Sequence, residues 1–201
     1  MTTVLNVAAY QPCTTVEGPG KRFALWVQGC LKRCPGCCNE EMLPIMPNQL
    51  VSTAKVKEKI DESICNHKIE GITLLGGEPF LQAQGLYEIA KHCKDKGLSV
   101  MVFSGYTLRE LEKLNFTMWR ELYSCIDLLV DGPYIATKPE VTRKWIGSTN
   151  QKLHYLSDFY EPGIEQLEDN VQQKIEVNIN NEKAIINGWP VLYNSLKVDL
   201  E

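Results

Sequence analysis

The run Cys30-Leu31-Lys32-Arg33-Cys34-Pro35-Gly36-Cys37-Cys38 carries a Cys-x3-Cys-x2-Cys hook with a further cysteine directly behind it. Thiols this closely spaced bind soft metals, and two kinds of centre compete for them. Structural zinc asks for four protein ligands, usually arriving as two separated pairs, and no second pair follows here. An iron–sulfur cluster is held by cysteine thiolates from short loops of this kind. A four-iron cluster with three protein ligands keeps one iron open to another molecule. Ligand count and spacing therefore favour a cluster on Cys30, Cys34 and Cys37, with zinc as the competing reading. Adjacent cysteines cannot easily both point at one metal core, so Cys37 is preferred to Cys38. Lys32 and Arg33 would favour thiolate over thiol, or else form a solvated basic tip. Cys13, Cys65, Cys93 and Cys125 stand apart and read as buried apolar thiols.

The elements that must position the hook follow from local pattern. Arg22 to Val27 is a short apolar strand reached through the turn Glu17-Gly18-Pro19-Gly20, and it delivers the hook at its C-terminal end. Ser52 or Thr53 caps a helix with Val56, Ile60 and Ile64 on one face. Gly71 to Leu75 is a buried type of strand, followed by a helix lined by Leu86, Ile89, Ala90 and Cys93 that Gly97 ends. Leu98 to Phe103 is another strand, and Thr107 with Glu110 forms a capping box. After a helical stretch from Trp119 to Tyr123, Asp127 to Val130 is one more strand. Alternating strands and helices predict an α/β fold, a partial (β/α) barrel of mainly parallel strands. Ligands in such folds sit at the C-terminal ends of the strands. Those ends carry Cys30, Gly76-Gly77-Glu78, Ser104-Gly105 and Asp131-Gly132. Beyond Lys138 the pattern becomes polar through Tyr160, Glu165 to Gln173 reads as solvated, and 175–179 with 184–186 reads as a C-terminal β-hairpin extension.

Composition sets the outer bounds. The chain has 201 residues, 44% hydrophobic and 23% charged, with a net charge of −4. One domain over 1–201 is expected, with a core at about 17–135 and an extension at 136–201. Scattered basic residues argue against a nucleic-acid partner. The absence of any apolar run near ~20 residues, and of a charged leader before one, argues against a membrane and for the cytoplasm. Cysteines in a reducing compartment serve metal or catalysis rather than disulfides.

The hook, the Gly76-Gly77-Glu78-Pro79 turn and the approach Glu17-Gly18-Pro19-Gly20 together resemble the radical S-adenosylmethionine superfamily. Gln28-Gly29-Cys30, Cys34-Pro35-Gly36-Cys37, Phe103-Ser104-Gly105-Tyr106-Thr107, Leu129 to Pro133 and Ile146 to Gln151 are similar to anaerobic ribonucleotide reductase activating proteins. The resemblance implies a 4Fe-4S cluster on Cys30, Cys34 and Cys37, with S-adenosyl-L-methionine on the open iron. It implies reductive cleavage to methionine and a 5′-deoxyadenosyl radical, and hydrogen abstraction from a glycine of a partner enzyme. That partner would be a glycyl-radical enzyme, anaerobic ribonucleotide reductase, and electrons would come from a flavodoxin-type or other low-potential reductant. An open barrel mouth would admit the peptide. Gly36, Cys37, Cys38, Gly76, Gly77, Glu78, Ser104 and Asp131 are the expected contacts of the cofactor. Gly76 and Gly77 would let backbone approach the ligand, and Glu78 could accept a hydrogen bond from its ammonium. Ser104 and Asp131 could equally cap their turns. Arg143, Asn150 and Gln151 match the activators without an assigned role, and His154 reads as a surface residue. Two departures are Glu17, where aspartate is usual, and Glu40-Glu41-Met42, where a tryptophan is common. Other readings are a radical enzyme acting on a different peptide or small molecule, and a non-catalytic iron–sulfur or zinc protein.

Overall fold

The computed structural model describes residues 3–166, 175–179 and 184–188. Its strands are β1 (Val4–Thr14), β2 (Arg22–Val27), β3 (Gln49–Ser52), β4 (Gly71–Gly76), β5 (Ser99–Phe103), β6 (Leu128–Asp131), β7 (Lys152–Tyr155), β8 (Ile175–Ile179) and β9 (Ala184–Gly188). The helices are α1 (Thr53–His67), α2 (Ala83–Asp95), α3 (Leu108–Leu114) and α4 (Trp119–Tyr123).

One sheet runs in the order β3-β1-β2-β4-β5-β6-β7, and β8 pairs with β9 alone. The pairs β2–β4, β4–β5 and β5–β6 are parallel, whereas β3–β1, β1–β2 and β6–β7 are antiparallel. The sheet is open and mixed, which corrects the expected partial barrel of mainly parallel strands. The cause is local. The turn from Glu17 to Gly20 is a hairpin return that lays β2 against β1, not a plain approach to a first strand. β3 and β7 are four-residue flanking strands with too few apolar positions to register as such. The C-terminal hairpin is present, with Ile175 opposite Gly188 and Ile179 opposite Ala184. Of the stretch read as solvated, 167–173 lies outside the described residues, and Glu165 is buried, accepting a hydrogen bond from the Tyr155 hydroxyl.

All six residues of β2 are buried, as expected for a central strand covered on both faces. On one face Phe23, Leu25, Ile72, Leu74, Val100 and Val102 meet Val56 and Ile60 of α1 and Leu86, Ile89 and Cys93 of α2. Each such side chain contributes roughly 1.5–3 kcal/mol by leaving water. On the other face Met101, Leu128 and Val130 are covered by Trp145 and Ile146 from the irregular segment between β6 and β7 and by Tyr160 after β7. Ser52 caps α1 through the Lys55 N–H, and Thr107 with Glu110 closes the expected box on α3. Cys93 is buried and Cys13 and Cys125 half-buried, but Cys65 is exposed, because the inward positions of α1 are Val56, Ile60 and Ser63.

Candidate metal and cofactor site

The four parallel strands end side by side, and their C-terminal ends bring the expected groups onto one rim. β2 leads through Gln28 and Gly29 into the hook. The base of the hook is closed by backbone bonds from Gly29 N–H to the Met42 carbonyl (2.8 Å) and from Cys30 N–H to the Leu43 carbonyl (3.0 Å). Gln28, part of the Gln28-Gly29-Cys30 motif but without an expected role of its own, donates from Nε2 to the Pro44 carbonyl at 2.9 Å. Within the hook, Cys37 N–H donates to the Cys34 carbonyl at 3.2 Å across Pro35 and Gly36, with Gly36 at φ +70. Proline followed by a left-handed glycine is the pattern of a type II turn, and it returns Cys37 toward Cys34.

Cys30 is buried at 5% exposure, and Cys34, Cys37 and Cys38 are half-buried. Burial pushes the Cys30 and Cys34 thiols up, against backbone donors that favour thiolate. Those donors are Arg33 and Lys32 for Cys30, and Tyr134 for Cys34. The Cys38 thiol donates to Cys37, which brings Cys37 down to about 7 and pushes Cys38 well up. Lys32 is no solvated tip: its Nζ donates to Glu110 Oε1 at 2.7 Å and lies 4.7 Å from the Tyr106 ring centre. Arg33 is exposed.

The double glycine works differently from expectation. A Cβ on Gly76 would lie 2.5 Å from Val27 N, and one on Gly77 would lie 2.3 Å from the Gly29 carbonyl oxygen. The close approach these glycines permit is to the backbone leading into the hook, which they meet through Gly77 N–H to Val27 O (2.7 Å) and Glu78 N–H to Gly29 O (2.9 Å). Glu78 is fully buried. Its Oε1 accepts from Phe80 N–H (3.1 Å) and the Ser104 hydroxyl (3.0 Å), and its Oε2 from Gly105 N–H (2.9 Å). Burial outweighs these donors and raises its pKa to about 7. Ser104 also accepts from Tyr106 N–H, and Asp131 accepts from Leu108 N–H at the start of α3, so both do cap turns. His154, a surface residue by sequence, brings Nε2 to 3.0 Å from the buried Asp131 Oδ1.

Arg143, Asn150 and Gln151 have structural partners. Gln151 Nε2 donates to the Gly132 carbonyl (3.0 Å), and its Oε1 accepts from Gly147 and Ser148 N–H. Asn150 Nδ2 donates to the Pro133 carbonyl at 2.8 Å. Arg143 reaches the carbonyls of Thr149 and Gln151 and pairs with Glu140 at 2.6 Å. Burial works against the Glu140 charge, but bonds from Thr142 and Arg143 win and hold its carboxyl at about 2. The segment so braced faces the hook, where Ala136 would sit 3.3 Å from a Cβ on Gly36. Beside the match of this segment to the activators, the run of Ser148, Thr149, Asn150 and Gln151 is the local signal for the brace, since such side chains bond nearby backbone.

A family model described as a 4Fe-4S single cluster domain matches residues 16–154. The anaerobic ribonucleoside-triphosphate reductase-activating protein of Vibrio cholerae is 32% identical over 158 residues, covering 75% of this chain and 97% of that protein. The protein of the same name from Escherichia coli K12 is 32% identical, covering 76% of this chain and 99% of its own length. That of Enterobacteria phage T4 is 32% identical over 160 residues, covering 77% and 96%. The chain belongs to this family of activating proteins. The span matched by the family model takes in the hook, the rim and the braced segment, and it ends on β7. An iron–sulfur cluster fits the residues present: the thiols stand within electrostatic reach of one another, and all three have backbone donors, Asn39 serving Cys37. Among the described residues no three His, Cys, Asp or Glu side chains lie at the spacing that grips a single ion. No helix among the described residues is long and apolar enough to cross a membrane.

Proposed function

We propose that the chain is a radical S-adenosylmethionine activase of a glycyl-radical enzyme, an anaerobic ribonucleoside-triphosphate reductase, working as one domain in the cytoplasm with a low-potential donor such as flavodoxin. The observation that carries this reading is a three-cysteine hook, supplied with backbone donors, packed against a glycine-lined rim at the ends of four parallel strands. A bound 4Fe-4S cluster with S-adenosylmethionine supplies the radical chemistry.

The chain's own residues bind and orient. Cys30, Cys34 and Cys37 hold the cluster, and Cys38 steadies Cys37 through its thiol hydrogen bond. Gly36 keeps the hook low beside Ala136. Gly76 and Gly77 seat the rim against the hook's base, and Ser104 and Asp131 fix the neighbouring turns. Glu78 accepts one hydrogen bond at Oε2 and two at Oε1, which leaves Oε2 acceptor capacity for a ligand ammonium. The relatives' names supply the partner, and the S-adenosylmethionine step rests on the hook and the double-glycine turn.

Anaerobic reconstitution with iron and sulfide tests the proposal. The expected product is a brown protein that converts S-adenosylmethionine to methionine and 5′-deoxyadenosine under dithionite. Cys30→Ala, Cys34→Ala and Cys37→Ala each lose the cluster, while Cys13→Ala, Cys65→Ala, Cys93→Ala and Cys125→Ala keep it. A colourless protein that holds only zinc overturns the reading, and iron loss from Cys38→Ala with retention by Cys37→Ala overturns the ligand choice.

A further inference from the structure

The segment from Gly132 to Ile135 is held by side chains from one short stretch. Gln151 Nε2 donates to the Gly132 carbonyl (3.0 Å), Asn150 Nδ2 to the Pro133 carbonyl (2.8 Å), and Ile135 N–H donates to Ser148 Oγ (3.1 Å). Ser148 is itself fully buried. These bonds fix the backbone on both sides of Tyr134. The Tyr134 N–H lies between them and is directed at the Cys34 sulfur. Ala136, two residues on, touches the hook at Gly36. The amide donors that Lys32, Arg33, Cys34 and Asn39 give to the three hook sulfurs come from the hook and its flank, whereas among the described residues the Tyr134 donor arrives from another part of the chain.

We infer that Ser148, Asn150 and Gln151 are positioning residues for the cluster, acting through the peptide N–H of Tyr134 on Cys34. The inference rests on the proposed cluster at Cys30, Cys34 and Cys37. A hydrogen bond to a ligand sulfur stabilises the more negative, reduced cluster, so it raises the reduction potential. The stretch after β6 is therefore a wall of the cluster site, and it tunes the cluster without touching it by side chain.

The test uses the reconstituted full chain alone, without S-adenosylmethionine or partner. An EPR-monitored redox titration gives the potential, and electron–nuclear double resonance in D2O counts exchangeable deuterons coupled to the reduced cluster. Tyr134→Pro removes the N–H directly; the expected result is one coupled deuteron lost and a more negative potential. Asn150→Ala and Gln151→Met shift the potential the same way by less, while Tyr134→Phe and Ser148→Thr, which keep the amide and the hydroxyl, stay at the wild-type value. A Tyr134→Pro protein with wild-type potential and wild-type deuteron couplings overturns the inference. Should that variant fail to fold, Asn150→Ala and Gln151→Met decide, and wild-type potentials in both overturn it. Failure of the wild-type chain to assemble any 4Fe-4S cluster is a separate result, and it strikes the underlying reading.

Discussion

Arg22 and Glu78 are charged side chains buried at opposite ends of the parallel strands, and the fold handles them in opposite ways. At the N-terminal end Arg22 is fully buried with no carboxylate among its hydrogen-bond partners in the described residues. Its guanidinium is met by Thr73 Oγ1 (2.7 Å), Ser99 Oγ (2.9 Å), Tyr160 (3.1 Å) and the carbonyls of Pro19, Ile72 and Ser99. Burial lowers the Arg22 pKa, but a guanidinium does not lose its proton near neutral pH, so these oxygens must always serve a cation. At the C-terminal end Glu78 is also fully buried, yet its pKa of about 7 lets it become neutral. The lower end is a fixed electrostatic staple across β2, β4 and β5. The upper end carries the cysteines and a carboxyl that can change charge, so stability is concentrated away from the chemistry.

The largest effect should come from breaking the staple. Arg22→Met leaves three hydroxyls and three carbonyls without their guanidinium donor, and should cost about 3–5 kcal/mol in denaturant unfolding. Glu78→Gln preserves shape and most acceptor capacity and should cost about 1–2 kcal/mol. Equal losses would show that the two ends do not divide the labour in this way.

Glycines give a second contrast between the rim and an ordinary loop. Gly77→Ala forces a Cβ to 2.3 Å from the Gly29 carbonyl oxygen, so strand or hook must move. We expect about 3 kcal/mol of destabilisation together with loss of cluster retention, read by iron content. Gly97, at the end of α2, has φ +76, and a Cβ there would meet nothing within 4 Å. Gly97→Ala should cost about 1 kcal/mol from backbone strain alone and leave iron content unchanged.

Much of this arrangement is legible in the sequence, and the gaps have physical causes. The central strands announce themselves because strands buried on both faces are continuous apolar runs, as Arg22 to Val27 and Gly71 to Leu75 show. The hook is legible because its chemistry resides in side-chain type and spacing. The double-glycine turn stands out in the sequence for a different reason than the structure gives, since sequence shows that a side chain is excluded but not what excludes it. β1 escapes the sequence reading although Leu5 and Val7 alternate inward, and its antiparallel return changes the sheet from barrel-like to open and mixed. Arg22 as a buried cation has no local signal at all, because its partners come from residues 19, 72, 73, 99 and 160.

The pH dependence of the apo protein separates the rim from the braced segment by sign. An ordinary glutamate loses its proton near 4.5 when unfolded, and Glu78 holds it to about 7 in the fold. The folded state binds the extra proton between those values, so stability is full below 4.5 and falls as pH rises through 7, by about 3 kcal/mol. Glu17, which burial also raises to about 7, adds in the same direction, so the measurement is the difference between wild type and Glu78→Gln, which should flatten the slope. Glu140 runs the other way. Held at about 2, it stabilises the fold above 4.5 and that contribution disappears as pH falls through 2, so Glu140→Gln should lose stability at pH 7 and little at pH 2.

The smallest effect tests whether the hook is braced electrostatically on its other side. Lys32 and Glu110 pair at 2.7 Å with side chains 19% and 43% exposed, and such a pair is worth less than about 1 kcal/mol. Glu110 also accepts from Thr107 N–H and the Thr107 hydroxyl, so it anchors α3 and the hook at once. Glu110→Gln keeps an acceptor for Thr107 and removes the charge that holds Lys32. Global stability should change by less than about 1 kcal/mol, while proteolysis between Cys30 and Cys34 should quicken in the apo protein. Unchanged cleavage there would mean that the Tyr106 ring and the packing of the Lys32 stem against Gly105 suffice, and that the ion pair only decorates a loop already fixed by its backbone.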